Sequence, residues 1–221
     1  FGLAFDRCQG SATTVSGQVL AQVGHKVADL PAQIAAVQGD ALGEKDLALV
    51  MIGLNDILEL YARYPATSRD DLLDEARARG ISLGEQVNQL AKSGPAVVLL
   101  TVPDISLSPF ALAQDTSAGN TTRSTLIKDL VAAFNDRTSV TLINDGRLIG
   151  LVYGDLEIQK MVDNPDSYNL TNVVDAACRA DAVLPDCTTA TLVTDATADK
   201  WLWADAWRLS PAAQSRLGDL A

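Results

Sequence analysis

The sequence predicts an α/β fold, a parallel sheet sandwiched by helices, and three observations carry that prediction. Two short apolar runs, Leu47 to Ile52 and Ala96 to Val102, stop at Gly53 and at Pro103-Asp104, as buried parallel strands do. Around them apolar residues recur at helical spacing, clearest at Leu126, Ile127, Leu130, Val131 and Phe134. The chain has 221 residues, 48% hydrophobic and 20% charged, which suits one large core, so residues 1–221 are read as a single domain.

Taken in order, Phe1 to Gly17 is small, polar and punctuated by glycine, and reads as a loop. Within it, Gln9-Gly10-Ser11-Ala12-Thr13-Thr14 reads either as a flexible turn or as backbone that approaches a ligand at Gly10, which adds no side chain. Val27, Leu30, Ile34 and Val37 give a helix over Val27 to Val37, with Pro31 tolerated near its first turn. After the strand at Leu47 to Ile52 comes a helix from Ile57 to Tyr64, broken by Pro65-Ala66-Thr67-Ser68. Asp70 to Arg79 and Leu83 to Ala91 read as two helices flanking Gly80, the first with an acidic start and a basic end. The strand at Ala96 to Val102 leads into a loop from Ser106 to Asn120, with a short helix around Pro109 to Ala113. A helix is expected over Thr121 to Asn135, a third strand at Val140 to Ile143, and a short helix at Gly146 to Val152. Residues 155–200 read as an irregular insertion, the kind of segment that often covers or shapes a site. Ser210 to Leu220 closes the chain as a helix with Pro211 at its first position.

Charge and cysteine content restrict the function classes. Lys plus Arg number 17 against 28 for Asp plus Glu, a formal charge of −11, so no basic face is available for nucleic acid. No apolar run is long enough to span a bilayer, and no signal peptide stands at the start. The opening on Phe1 is what a processed or truncated product would give. Cys178 and Cys187 share a loop rich in Asp, Thr and Pro. A disulfide closing that loop is the preferred reading and two free thiols the alternative; the disulfide implies a periplasmic, cell-surface or extracellular location. Cys8 is left over, and no His, Cys or carboxylate cluster has ligand spacing, so neither a metal nor a cofactor is expected.

Two places carry polar groups suited to chemistry. Asn55 and Asp56 follow the first strand, where open α/β sheets hold their working groups, and an amide there donates to a developing negative oxygen without titrating. The plainer reading is that the pair turns the chain and caps the next helix. Asp205 and Arg208, three apart before the last helix, fall on one turn; the plainer reading is a surface ion pair with Trp201, Trp203 and Trp207 as core.

Together these pieces resemble the GDSL/SGNH family of serine ester hydrolases, in its secreted bacterial esterase and lipase branch. Gly53-Leu54-Asn55-Asp56 looks like the family's Gly-x-Asn-Asp block, and Gln9-Gly10-Ser11-Ala12 is similar to its glycine block. Val102-Pro103-Asp104 matches the segment after the next strand, and Asp205-Ala206-Trp207-Arg208 looks like the closing Asp-x-x-His block. The two-cysteine loop ahead of that block also recurs in this branch. The resemblance implies a three-layer α/β/α fold and transfer of an acyl group from an ester to water by Ser, His and Asp. By position, Gly10 and Asn55 would be oxyanion donors and Asp205 the carboxylate that orients the base.

Two departures qualify the resemblance. The Gly-Asp-Ser-Leu block, which carries the nucleophile on the family's first strand, is absent and would lie upstream of Phe1. Arg208 stands at the position of the catalytic His, and arginine has no acceptor lone pair and stays protonated, so it cannot be a general base. Losing the nucleophile or base of such a triad costs about 10⁴- to 10⁶-fold in rate. The only histidine, His25, fits no family position and reads as an ordinary surface residue.

Three readings follow. The chain is a degenerate, weakly active or inactive member that binds a ligand such as a small ester or acyl compound, a glycan or another protein, with Arg208 and Asp205 a neutralised pair or an anion-binding guanidinium. Alternatively it is a secreted esterase seen without its nucleophile strand. Or it is an extracellular structural or assembly component, a homo-oligomer or one whose missing strand another chain supplies.

Overall fold

A computed structural model of the chain describes residue 5 and residues 17–37, 42–182 and 185–221. Strands β1 (Leu47–Val50), β2 (Ala96–Leu100) and β3 (Ile149–Val152) form a parallel sheet in the order β1-β2-β3. Leu47 stands beside Ala96 and Val97 beside Ile149. The helices are α1 (Leu30–Ala35, after a 3₁₀ turn), α2 (Leu54–Ala62), α3 (Arg69–Lys92), α4 (Pro109–Ala118) and α5 (Thr122–Thr141). Beyond β3 come α6 (Gly154–Asp163), strands β4 (Asn172–Ala176) and β5 (Trp201–Trp203), and α7 (Pro211–Leu220). The predicted α/β class with parallel strands is therefore what the chain adopts.

The side-chain alternation along β2 decides the layers. Val97 and Leu99 are fully buried in the main core, which also holds α3 and α5 through Leu83, Val87, Ile127 and Phe134. Val98 and Leu100 point to the other face, where an apolar groove separates them from Leu217 of α7. Among the described residues β1 has β2 as its one neighbour in the sheet, and Leu47, Leu49 and Met51 are each more than half exposed along it.

Several elements depart from expectation, each for a tertiary reason. The two helices expected around Gly80 are one helix, α3. A Cβ at Gly80 would overlap the Phe134 carbonyl of α5, and one at Gly84 would sit 2.6 Å from Thr141. The two glycines, one helical turn apart, let α3 and α5 approach closely, and Thr138 donates its hydroxyl to the Gly80 carbonyl at 3.2 Å. That packing outweighs the roughly 1 kcal/mol each glycine costs a helix.

The third strand is not at Val140 to Ile143, because α5 continues to Thr141. There the Asn88 amide donates to the Thr141 carbonyl and its oxygen accepts from the Ile143 N–H, which ends the helix. The strand is instead Ile149–Val152, inside the stretch expected to be helical. Residues 155–200 are not irregular throughout: α6 buries Ile158 and Met161, and β4 pairs in parallel with β5. The Ser106 to Asn120 segment is mostly the helix α4, which Ser108 caps. The final helix is as expected, with Pro211 at its first position and the Ser210 hydroxyl accepting from the Ala213 N–H.

Candidate functional site

The turn from β1 into α2 begins at Gly53, whose φ of +120° lies in the region that favours glycine. A Cβ there would also stand 2.7 Å from the Phe134 ring and from Val102, so no other residue fits without displacement. Asn55 and Asp56 emerge from this turn, and both reach back to the same upstream segment. The Asn55 amide donates to the His25 carbonyl at 2.9 Å, and the Asp56 carboxylate accepts from the Val27 N–H at 3.0 Å. One N–H of the expected oxyanion donor is thus committed to the backbone.

Asp56 is 2% exposed and receives a second bond, from Arg79 at 3.1 Å. Burial raises its carboxyl above the ordinary range, with the Val27 N–H and Arg79 acting against that. Arg79 also bonds Glu59 at 2.9 Å and Glu75 at 2.6 Å. Hydrogen bonds from Arg79 and Lys26 hold Glu59 down at about 2. This network is structural: it anchors the segment from His25 to Val27 on α2 and α3.

His25 is not simply an ordinary surface residue. It is half-buried, its Nδ1 lies 2.7 Å from the Gln33 amide nitrogen, and it lines a small cleft of about 190 Å³ with Asn55 and Gly53. Its isolated occurrence in the sequence held no signal for this placement; only the approach of residues 25–27 to α2 creates it.

The second predicted pair is in direct contact. Arg208 donates from Nη1 to Asp205 Oδ2 at 2.6 Å, while Asp205 Oδ1 accepts from the backbone N–H groups of Trp207 and Arg208. The turn is closed by the Ala204 N–H, which donates to the Arg208 carbonyl at 2.8 Å. Asp205 is buried and Arg208 about a third exposed, its guanidinium 5.7 Å from the Trp207 ring. Arg208 borders the groove between the sheet and α7, about 490 Å³, whose other walls include Leu49, Met51, Leu54, Val98 and Leu100. Met51, Leu54 and Pro103 border both this groove and the His25 cleft, so Asn55 and Arg208 open onto opposite sides of one ridge.

Cys178 and Cys187 form a disulfide, with Cα atoms 5.8 Å apart. Closing so short a loop contributes about 2–3 kcal/mol. The Cys178 N–H donates to the Ala204 carbonyl at 2.9 Å, so the stapled loop is fastened next to Asp205. The disulfide is compatible with an extracellular location, and among the described residues no helix is long and apolar enough to cross a membrane.

Comparison with protein-family models and with curated proteins finds no match in either. The site therefore rests on its own geometry. Gly10 lies outside the described residues, as do Cys8 and Ser11. Among the described residues no serine is bonded to a histidine. Ser106, after β2, donates to buried Asp104 at 2.5 Å, and Asp104 in turn accepts from Gln159. Among the described residues no three His, Cys, Asp or Glu are grouped to hold a metal ion.

Proposed function

We propose that the chain is a degenerate SGNH-hydrolase-like domain that binds an acyl ligand without hydrolysing an ester. The observation that carries this reading is the Asp205–Arg208 bond. The carboxylate that would orient a histidine is occupied by a permanent cation, so the pair has no proton acceptor to offer a nucleophile. What it offers instead is a guanidinium with one arm held by Asp205 and further N–H donors beside an apolar groove. An alkyl carboxylate matches both halves, with its chain against Leu49, Met51 and Leu100 and its head group on Arg208. The assay is twofold. Hydrolysis of p-nitrophenyl butyrate is expected to stay at the buffer rate, for the chain and for Arg208→His, and laurate is expected to bind by calorimetry and to lose affinity in Arg208→Gln. Ester turnover above background, or laurate affinity indifferent to Arg208→Gln, refutes it.

The exposed β1 edge supports a second reading, a sheet completed by a strand from another chain. A solution mass equal to the monomer at all accessible concentrations, with Leu49→Lys leaving solubility unchanged, would remove that reading for self-association.

A further inference from the structure

Well away from the groove, at the far end of α2, a cavity of about 340 Å³ lies between Tyr61, Tyr64, Gln114, Ser117 and Arg123. None of these residues borders the groove or the His25 cleft. We infer that this cavity is a binding site for a small hydroxylated carboxylate, such as a sugar acid, with Arg123 as its anchor.

The argument starts from the state of Arg123. Its guanidinium carbon lies over the Tyr64 ring, 4.7 Å from the centre, which holds the group against the cavity wall. Among the described residues no carboxylate stands within ion-pair distance of it, in contrast to Arg79, Arg208 and Arg216. That is notable in a chain where acidic residues outnumber basic ones by 28 to 17. Asp115, the acidic side chain beside it, already accepts from the backbone N–H groups of Arg123 and Ser124. A half-buried guanidinium held over a ring, with no anion of its own among the described residues, is a group prepared for one supplied from outside.

The rest of the wall specifies more than charge. The Tyr61 hydroxyl donates to Gln114 Oε1 at 3.0 Å, which leaves the Gln114 amide hydrogens as donors, while the phenol oxygen faces Arg123. Burial raises the Tyr61 hydroxyl above its ordinary value, Arg123 working against this, so the phenol stays neutral and adds no competing negative charge at neutral pH. Ser117 adds a hydroxyl oxygen at the rim, its proton committed to the Ala113 carbonyl. One cation beside neutral donors and acceptors, with the nearby Asp115 carboxylate turned onto the backbone N–H groups of Arg123 and Ser124, suits a carboxylate that carries hydroxyl groups, and the volume admits a single small ring.

The test is a titration of the ¹⁵N-labelled protein with glucuronate and, separately, with glucose, following the Arg123 Nε–H signal and the Tyr61 and Tyr64 ring signals. Glucuronate is expected to move all three saturably and glucose to leave them unmoved. Arg123→Gln is expected to weaken glucuronate binding roughly tenfold or more, while Arg137→Gln, on the exposed side of α5, leaves it unchanged. Because the glucose comparison uses the unaltered chain, it stands whether or not Arg123→Gln folds. The inference is overturned if glucuronate gives no saturable shift, if glucose or inorganic phosphate does as well, or if folded Arg123→Gln binds glucuronate undiminished.

Discussion

Replacing Arg79 with Met tests the network that fixes the candidate site from below. The substitution keeps the aliphatic stem and removes three bonds, to Asp56 at 3.1 Å, Glu59 at 2.9 Å and Glu75 at 2.6 Å. Glu59 and Glu75 are each more than a third open to water, which takes over their solvation at little cost. Asp56 is 2% exposed and would keep only the Val27 N–H. Stripping one partner from a fully buried pair costs about 3–5 kcal/mol; with Arg79 itself 20% exposed, about 2–4 kcal/mol is expected here at neutral pH.

The pH dependence has a definite sign. Burial already lifts Asp56 above its ordinary 3.8, and without Arg79 it lies higher still. A carboxyl whose folded pKa is raised contributes stability below its unfolded pKa and loses it as pH rises through the folded value. The penalty of Arg79→Met is therefore largest at neutral pH and shrinks as acidification protonates Asp56. Urea unfolding of the parent, Arg79→Met, Asp56→Asn and the double variant, near neutral pH and again near pH 4, measures this. The double variant should lose less than the sum of the singles. A neutral-pH loss below about 1 kcal/mol, or a penalty that does not shrink on acidification, refutes the reasoning.

Two further outcomes are expected. Gly80→Ala, which would stabilise an isolated helix by up to about 1 kcal/mol, should instead cost about 1–3 kcal/mol in urea unfolding, because the new methyl meets the rigid Phe134 carbonyl. Glu59 is held at about 2 against an ordinary 4.5, so the stability it contributes is present above 4.5 and lost as pH falls toward 2. Glu59→Gln should flatten the acid limb of the stability profile, and an unchanged limb would exclude its part in that loss.

The local sequence carried what depends on residue type alone. The apolar runs at Leu47 and Ala96 both became strands, Ser210-Pro211 opened a helix, and two cysteines in a short loop were placed to join. The burial expected of the first run is not met, because Leu47 and Leu49 are more than half exposed on β1, which has β2 as its one neighbour among the described residues. The Asp205–Arg208 contact was also legible, since a spacing of three within one tight turn brings opposite charges together. The tertiary structure decided the rest, because those choices are made by partners distant in sequence. Gly80 breaks a helix or joins two of them depending on whether Phe134 lies against it, and only the fold puts it there. The run Ile149-Gly150-Leu151-Val152 is a strand because β2 offers it an edge, and Thr141 ends α5 because Asn88, 53 residues earlier, meets its carbonyl. Asn55, His25 and Arg123 take their roles from groups the chain brings near them. Propensity is summed along the chain, whereas a site is a coincidence in space.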